Sequence, residues 1–444
     1  MSKVNMPENL QTTSRDVDVA DDVILDPNCD PDNPVVVDYD RVVDAKQCIG
    51  RGVVRTPCTW SRMSHNLGID IFFKKEFMQF TGSFKDRGAL YSLLKLSDEQ
   101  RRGGVVTTSA GNHAQALAYQ GRKLNIPVTV VMPMQAPLVK VNSCKDLQAT
   151  VILHGQRFDE AKSYAMAYGK KHNLLYINGY DHPDILAGQG TIGLEILEDV
   201  PDVDCIVVPI GGGGLVAGIA AAAKHIRPEI KIIGVESQKC PSWTSAVNNG
   251  KPLPCPISKQ GAKDSITDGL SVIEVGVNSY ATAHPLMDKM VTVSEDYVCT
   301  AILQLMEFEK SVVEGAGAAG FAAIIAGLLP ELHGLKVVTV LCGGNIDITT
   351  LGRVIDRALM MQGRLCRFNC IISDRAGGLA EILGIVADGG ASIKDIMHDR
   401  MSLPSFVYKT SVRLTVETRD KNHARSLREK LEEHYGSDLN WKAE

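Results

Sequence analysis

No stretch of this chain is long and apolar enough to read as a membrane span. The most apolar run, Phe321 to Leu329, falls well short of the roughly 20 residues a bilayer requires. The opening, MSKVNMPENLQTTSRDVDVADD, has neither the apolar heart of a signal peptide nor the Arg-rich, acid-poor character of a transit sequence. Cytoplasm is therefore the expected compartment, with no membrane partner. Positive charge is not in excess either: 47 Lys and Arg face 52 Asp and Glu, a formal net charge of −5. That balance supplies no basic footprint for nucleic acid or anionic lipid. The 11 cysteines contain no C-x-x-C pair and no zinc-like spacing, so reduced thiols are expected rather than a metal cluster or disulfide framework.

What is present is an ordinary globular composition, 44 % apolar and 22 % charged over 444 residues, long enough for two or three domains. Residues 1–35 are rich in Asp, Asn and Pro and read as a flexible acidic tail. Across 36–362, short β-branched runs alternate with helical patterns, the mark of an α/β domain with parallel strands. Val128 to Met132, Cys205 to Pro209, Ile230 to Val235 and Val337 to Leu341 are nearly continuous in apolar character, as strands covered on both faces are. The pattern changes over 363–444. Cys366, Phe368, Cys370 and Ile372 alternate, Leu379, Ile382, Leu383 and Val386 share a helical face, Val412, Leu414 and Val416 alternate again, and Ala424, Leu427 and Leu431 form a second stripe. A small α+β domain of βαββα order is predicted.

Four segments carry chemistry. Thr81-Gly-Ser-Phe-Lys85-Asp-Arg-Gly88 precedes a helical pattern, with Ser83 placed to cap it. A lysine near a helix start and beside Phe84 has its amine biased toward the neutral form, as a Schiff base requires. The segment also reads as a surface lysine paired with Asp86. Ser109-Ala110-Gly111-Asn112-His113 follows an apolar strand and opens a helix, exposing N–H groups suited to a carboxylate or phosphate. Gly211-Gly212-Gly213-Gly214 follows a buried strand and precedes a helix at Leu215, a setting for a phosphate dianion. It lacks the Lys-Ser/Thr of a P-loop and the spacing of a dinucleotide site. Leu341-Cys-Gly-Gly-Asn345 ends another strand, and loops at the carboxyl ends of parallel strands can share one crevice.

In this order and separation the four segments resemble the fold-type II pyridoxal-phosphate family, above all its threonine and serine dehydratases and serine racemases. The resemblance implies two open, twisted, mostly parallel sheets flanked by helices, with a smaller subdomain at about 80–187. It implies that Lys85 holds pyridoxal 5'-phosphate as a Schiff base, that Asn112 bonds the ring oxygen, and that Gly211 to Leu215 hold the phosphate. Gly269 and Glu314 would lie beside the ring and Cys342 would face its nitrogen. Ser109 to His113 would clamp the carboxylate of a small amino-acid substrate. Where the racemases place a proton-transferring serine, this chain has Ala110, which favours elimination over racemisation. The racemase cation site maps to Glu236, but its second carboxylate is Ser242 here, which leaves a divalent cation open. Glu236 also reads as a strand-end surface residue, and Glu314 as a surface or structural carboxylate.

Residues 363–444 resemble an ACT domain, which implies an amino-acid effector near Asp374, Gly377, Gly378 and Leu379 and assembly as a homodimer or homotetramer. The expected activity is deamination of L-threonine or L-serine. The rivals are a serine racemase-like enzyme and a non-catalytic amino-acid sensor.

Overall fold

The computed structural model describes residues 26–256, 265–400 and 407–441. Contacts divide the chain into two units, the first reaching Val298 and resuming over Leu305–Ile346, the second comprising Cys299–Gln304 and Asp347–Glu444.

The first unit holds two sheets. The larger runs in the order Cys58–Trp60, Asp70–Lys74, Lys336–Val340, Cys205–Pro209, Lys231–Ser237, Lys289–Val293. Its first strand is antiparallel and the rest are parallel, with Val337 beside both Ile71 and Cys205. The smaller sheet is wholly parallel and ordered Thr150–Leu153, Val128–Met132, Val105–Thr108, Leu175–Tyr176. Every residue of Val105–Thr108, Val128–Met132 and Cys205–Pro209 is buried, as helices on both faces demand. The expected α/β class and strand set are present, the observed ends differing by a residue or two at Lys231–Ser237 and Lys336–Val340.

Two features place the helix Lys85–Leu94. One is glycine packing. A Cβ at Gly188, on the helix Pro183–Asp199, would come within 2.6 Å of Gly88 Cα, and one at Gly218 within 2.4 Å of Gly190 N. These backbones approach so closely that only glycine fits. The other is a buried cluster of charges. Arg87 reaches Glu76 and Glu195, each at 2.7 Å, and Lys74 reaches Glu195 at 2.6 Å. Lys74 also donates to Thr56 O at 2.7 Å and Arg87 Nη1 to Thr191 Oγ1 at 3.1 Å. Asp199, partly exposed, also lies 3.6 Å from Lys74, so each buried charge has an opposite partner, the condition under which charges tolerate burial.

Of the segment read as a flexible tail, residues 1–25 lie outside the described residues. The remainder is tied down. Val35 N donates to Asn278 Oδ1 at 2.7 Å, and Asn278 Nδ2 donates to Asn28 O at 2.7 Å. Composition alone misses this, because a single buried asparagine far along the chain supplies both bonds.

The second unit contains an antiparallel sheet ordered Ser392–Asp399, Lys409–Glu417, Leu365–Ser373, Leu439–Trp441. The helices Gly378–Asp388 and Lys421–Tyr435 complete a βαββαβ arrangement of ferredoxin-like order. Phe368, Val412, Leu414, Val416, Ile382, Val386, Leu427 and Leu431 form its core. The last strand extends the expected βαββα order, and its Trp441 stacks on Phe368.

Candidate active site

Lys85 is the first residue of its helix, and Phe84 precedes it without any side-chain cap. Ser83 therefore does not cap the helix. Its backbone bridges to Gly343, and its buried hydroxyl has no partner. Phe84 N donates to Cys342 O at 2.9 Å and Gly344 N to Gly82 O at 2.9 Å, which zips the lysine loop to the loop after the strand Lys336–Val340. Lys85 Nζ donates to Gly179 O at 2.5 Å and lies 4.9 Å from the Phe84 ring centre. Burial lowers its pKa to about 8, against the opposing pull of Cys342 and Glu314. Asp86 does not pair with it. That carboxyl accepts from Thr81, and burial raises it to about 6.

Cys342 is buried, and burial together with Glu314 drives its thiol well above the usual range. It stays protonated. Glu314 is buried too, so the surface reading of it fails. Burial and then Asp268 raise its carboxyl to about 7, while Asn112, Lys140 and the Asn345 backbone pull the other way. Asp268 and Lys140 form an ion pair at 3.0 Å.

Three further loops converge here. Asn112 opens the helix Asn112–Leu124, and its Nδ2 donates to Glu314 Oε1 at 2.7 Å. An ideal Cβ on Gly269 would lie 3.8 Å from Glu314 Oε1, and one on Gly211 would lie 3.1 Å from Gly269 O. The glycine loop thus packs against Gly269, which itself lies beside that carboxyl. Gly213 has φ +95 and directly precedes the helix Gly214–Ile226, whose second residue, Leu215, is buried. A Cβ at Gly212 would strike the Tyr180 ring at 2.3 Å, and one at Gly214 would meet Tyr180 O at 2.4 Å. Side chains are excluded and bare amides remain at a helix start.

The loop Ser109–Gly111 is partly exposed, and Ser109 Oγ accepts from Gly111 N at 3.2 Å. Ala110 packs on the smaller sheet's core. The His113 ring is buried against Gly179, and burial, then the nearby Lys85, lower its pKa to about 3 while the Ile177 backbone pulls the other way.

Glu236 lies apart from this cluster, and it is no surface residue. It is fully buried and accepts from Trp243 N at 2.8 Å and Thr244 N at 3.2 Å, closing the N-terminus of the helix Ser242–Asn249. Ser242 is buried, with the Cys240 thiol beside it. Among the described residues no group of three or more His, Cys, Asp or Glu gathers as a metal site would. In the second unit, Asp374 accepts from Arg400 Nε at 2.9 and 3.0 Å, Gly377 has φ +103, Gly378 starts the helix, and Leu379 is exposed.

Sequence reasoning passed over Gly179, whose carbonyl holds Lys85, and the side chain of Asn345. Gly179 carries no signal, since a carbonyl acceptor can belong to any residue. Asn345 offers a faint one, a polar residue directly after two glycines at a strand end.

The sequence pattern of the family described as "Pyridoxal-phosphate dependent enzyme" matches residues 49–343. The L-threonine ammonia-lyase of Thermotoga maritima is 38 % identical over 393 residues, covering 88 % of this chain and 96 % of the relative. The structure of processed threonine deaminase isoform 2 from Solanum lycopersicum superposes with a TM-score of 0.67 at 32 % identity, covering 76 % of this chain and 99 % of the other. Maize serine racemase gives 0.68 at 32 % identity, covering 74 % and 99 %. With the lysine, the strand-end cysteine and Asn112 gathered around one buried carboxyl, and relatives matching across most of the length, this chain belongs to the family of pyridoxal-phosphate dependent enzymes.

Proposed function

We propose that this protein deaminates L-threonine to 2-oxobutanoate and ammonia, and L-serine to pyruvate and ammonia. The observation that carries the reading is the placement of Lys85, an amine biased toward neutrality, beside a cysteine that stays a thiol. A threonine ammonia-lyase and a threonine deaminase stand among the named relatives beside a serine racemase, and the first matches 88 % of this chain, which supports the choice of substrate.

The residues gathered at the site fit pyridoxal phosphate on their own terms. Side chains are excluded from Gly211 to Gly214, so backbone N–H groups at a helix start are free for a phosphate. Lys85 would hold the cofactor covalently, Asn112 its ring oxygen, and Cys342 its ring nitrogen, with Gly269 and Glu314 alongside. Bound there, the cofactor supplies the electron sink that makes a Cα–H bond labile.

The chain's own residues do the rest. Lys85 Nζ is the proton acceptor for Cα, since burial leaves a large neutral fraction near pH 8. Cys342 can donate a hydrogen bond but cannot give up a full positive charge to a ring nitrogen, which suits elimination of a β-hydroxyl better than long-lived carbanions. Backbone N–H groups of Ser109 to His113 bind the substrate carboxylate, the buried His113 ring taking no part. Ala110 offers no proton for a second face, so racemisation is disfavoured. Threonine and serine differ by one methyl, worth only about 1–3 kcal/mol of discrimination in a pocket, and both are therefore proposed as substrates.

We read 36–362 as the catalytic domain and 363–444 as an ACT-like module that pairs between subunits and binds an amino-acid effector near Asp374 and Gly377 to Leu379. Its βαββαβ order supports this. Glu236 has a helix to cap and is not put forward as a metal ligand. No helix among the described residues is long and apolar enough to cross a membrane, in keeping with a cytoplasmic enzyme. The test is a keto-acid assay on the purified, cofactor-loaded chain. L-Threonine should yield 2-oxobutanoate, and Lys85→Ala should abolish turnover. D-Serine in place of pyruvate from L-serine would overturn the reading.

A further inference from the structure

Asn345 stands where three parts of the site meet. Its Nδ2 donates to Thr81 O at 2.7 Å and to Asn112 Oδ1 at 2.9 Å. Asn112 in turn donates from Nδ2 to Glu314 Oε1 at 2.7 Å. The direction of this chain is fixed at its first link. A backbone carbonyl can only accept, so Thr81 O compels Asn345 to present its NH₂ group, not its oxygen. That same NH₂ faces Asn112 and can only be met by an oxygen. Asn112 is therefore held with its own NH₂ toward Glu314, and one of its two N–H bonds is left over.

The surroundings make room for this arrangement. Gly82 has φ +76, and a Cβ there would lie 2.4 Å from Asn345 Oδ1. A Cβ at Gly343 would lie 2.3 Å from Glu314 Oε1 and 3.1 Å from Asn112 Nδ2. Side chains at either position would break the relay.

We propose that Asn345 is a positioning residue for cofactor binding, one that sets the amide of Asn112 so that its remaining N–H points to the ring oxygen of pyridoxal phosphate. Glu314 completes the clamp by accepting the other N–H. Without Asn345, the Asn112 amide can rotate and offer an oxygen to an oxygen. The inference rests on the family's cofactor and on no particular amino-acid substrate, so failure of the threonine assay leaves it standing.

The test is Asn345→Asp in the full-length holoenzyme, a change nearly isosteric but without donors. Release of pyridoxal phosphate is followed by equilibrium dialysis, and the absorbance of the bound cofactor is titrated against pH, both without amino acid. The variant should bind the cofactor about tenfold more weakly, the scale of one lost hydrogen bond to a charged or polar partner. Its absorbance titration should shift as well, a signature that loose packing alone would not produce. Unchanged affinity and an unchanged titration would show the inference to be wrong. A double-mutant cycle with Asn112→Ala guards against a folding artefact. Asn345→Asp should cost nothing further once Asn112 is gone, and an undiminished effect in that background would also overturn the proposal.

Discussion

Lys85 and Glu314 titrate in reach of neutral pH for the same reason, burial, yet with opposite consequences. An amine whose pKa falls to about 8 gains its neutral, nucleophilic form between pH 7 and pH 9. Loading of the stripped protein with pyridoxal phosphate should therefore speed up about tenfold over that interval and then level off, as an absorbance time course would record. An ordinary lysine would go on accelerating to above pH 10. Glu314 is raised to about 7 in the folded state against 4.5 for an ordinary glutamate. The folded chain then holds the extra proton between those values, so this group's contribution to stability is complete below pH 4.5 and lost as pH rises through 7. Asp268, Lys140, Lys85 and Cys342 are the charged and titratable groups facing it. Glu314→Gln should become more stable relative to the wild-type, cofactor-free chain from pH 5 to pH 8, by on the order of 2 kcal/mol in denaturant melts. A constant difference would argue against a buried, protonated carboxyl. Lys85 and the glycine run were legible in the sequence because their signals are local, a cation at a helix start and four residues without side chains. The carbonyl of Gly179 was not, since it meets Lys85 across 94 residues of chain. Ser83 misled because its backbone is bonded to a strand-end loop that no local pattern reveals.

Elements here are positioned as much by what their residues lack as by what they carry. The helix Pro183–Asp199 touches the lysine helix through Gly188, where a Cβ would come within 2.9 Å of Arg87 O as well as 2.6 Å of Gly88 Cα. Backbone cannot step aside as a side chain can, so Gly188→Ala should lower stability by about 1–3 kcal/mol and weaken cofactor retention together with it. Thermal melts of the loaded and stripped forms would check both. At the helix Ser242–Asn249 a different device operates. Glu236 closes its first turn from a neighbouring strand, and burial raises the carboxyl's pKa. Glu236→Ala should cost about 1–2 kcal/mol, as the loss of an N-cap does, and magnesium or a chelator should leave that loss unchanged. Stabilisation by magnesium that disappears in the variant would instead make Glu236 a ligand. Strands such as Val128–Met132 were legible because both faces are buried and the run is unbroken. Leu439–Trp441 was not, being three residues long with a polar centre, too short for periodicity to register.

On the scale of the whole molecule, each unit has its own interior, the second with an apolar core built from its sheet and both of its covering helices. The first unit depends on something less usual in the middle of its fold. Removing one member of a buried, balanced set leaves its partner charged and unpaired. Arg87→Met strands Glu76, while Lys74 still holds Glu195, and urea melts should show a loss of about 3–5 kcal/mol. Replacing Glu76 at the same time should recover part of it, and strict additivity of the two changes would deny that they interact. The cluster also has a thermal consequence. Hydration holds ions less firmly as water warms, so the penalty for keeping Lys74, Glu76, Arg87 and Glu195 dry shrinks with heat, while their contacts at 2.6–2.7 Å persist. The seat of Lys85 is thus firmest in the warm protein, and it is on chilling that the grip on the helix Lys85–Leu94 should loosen first.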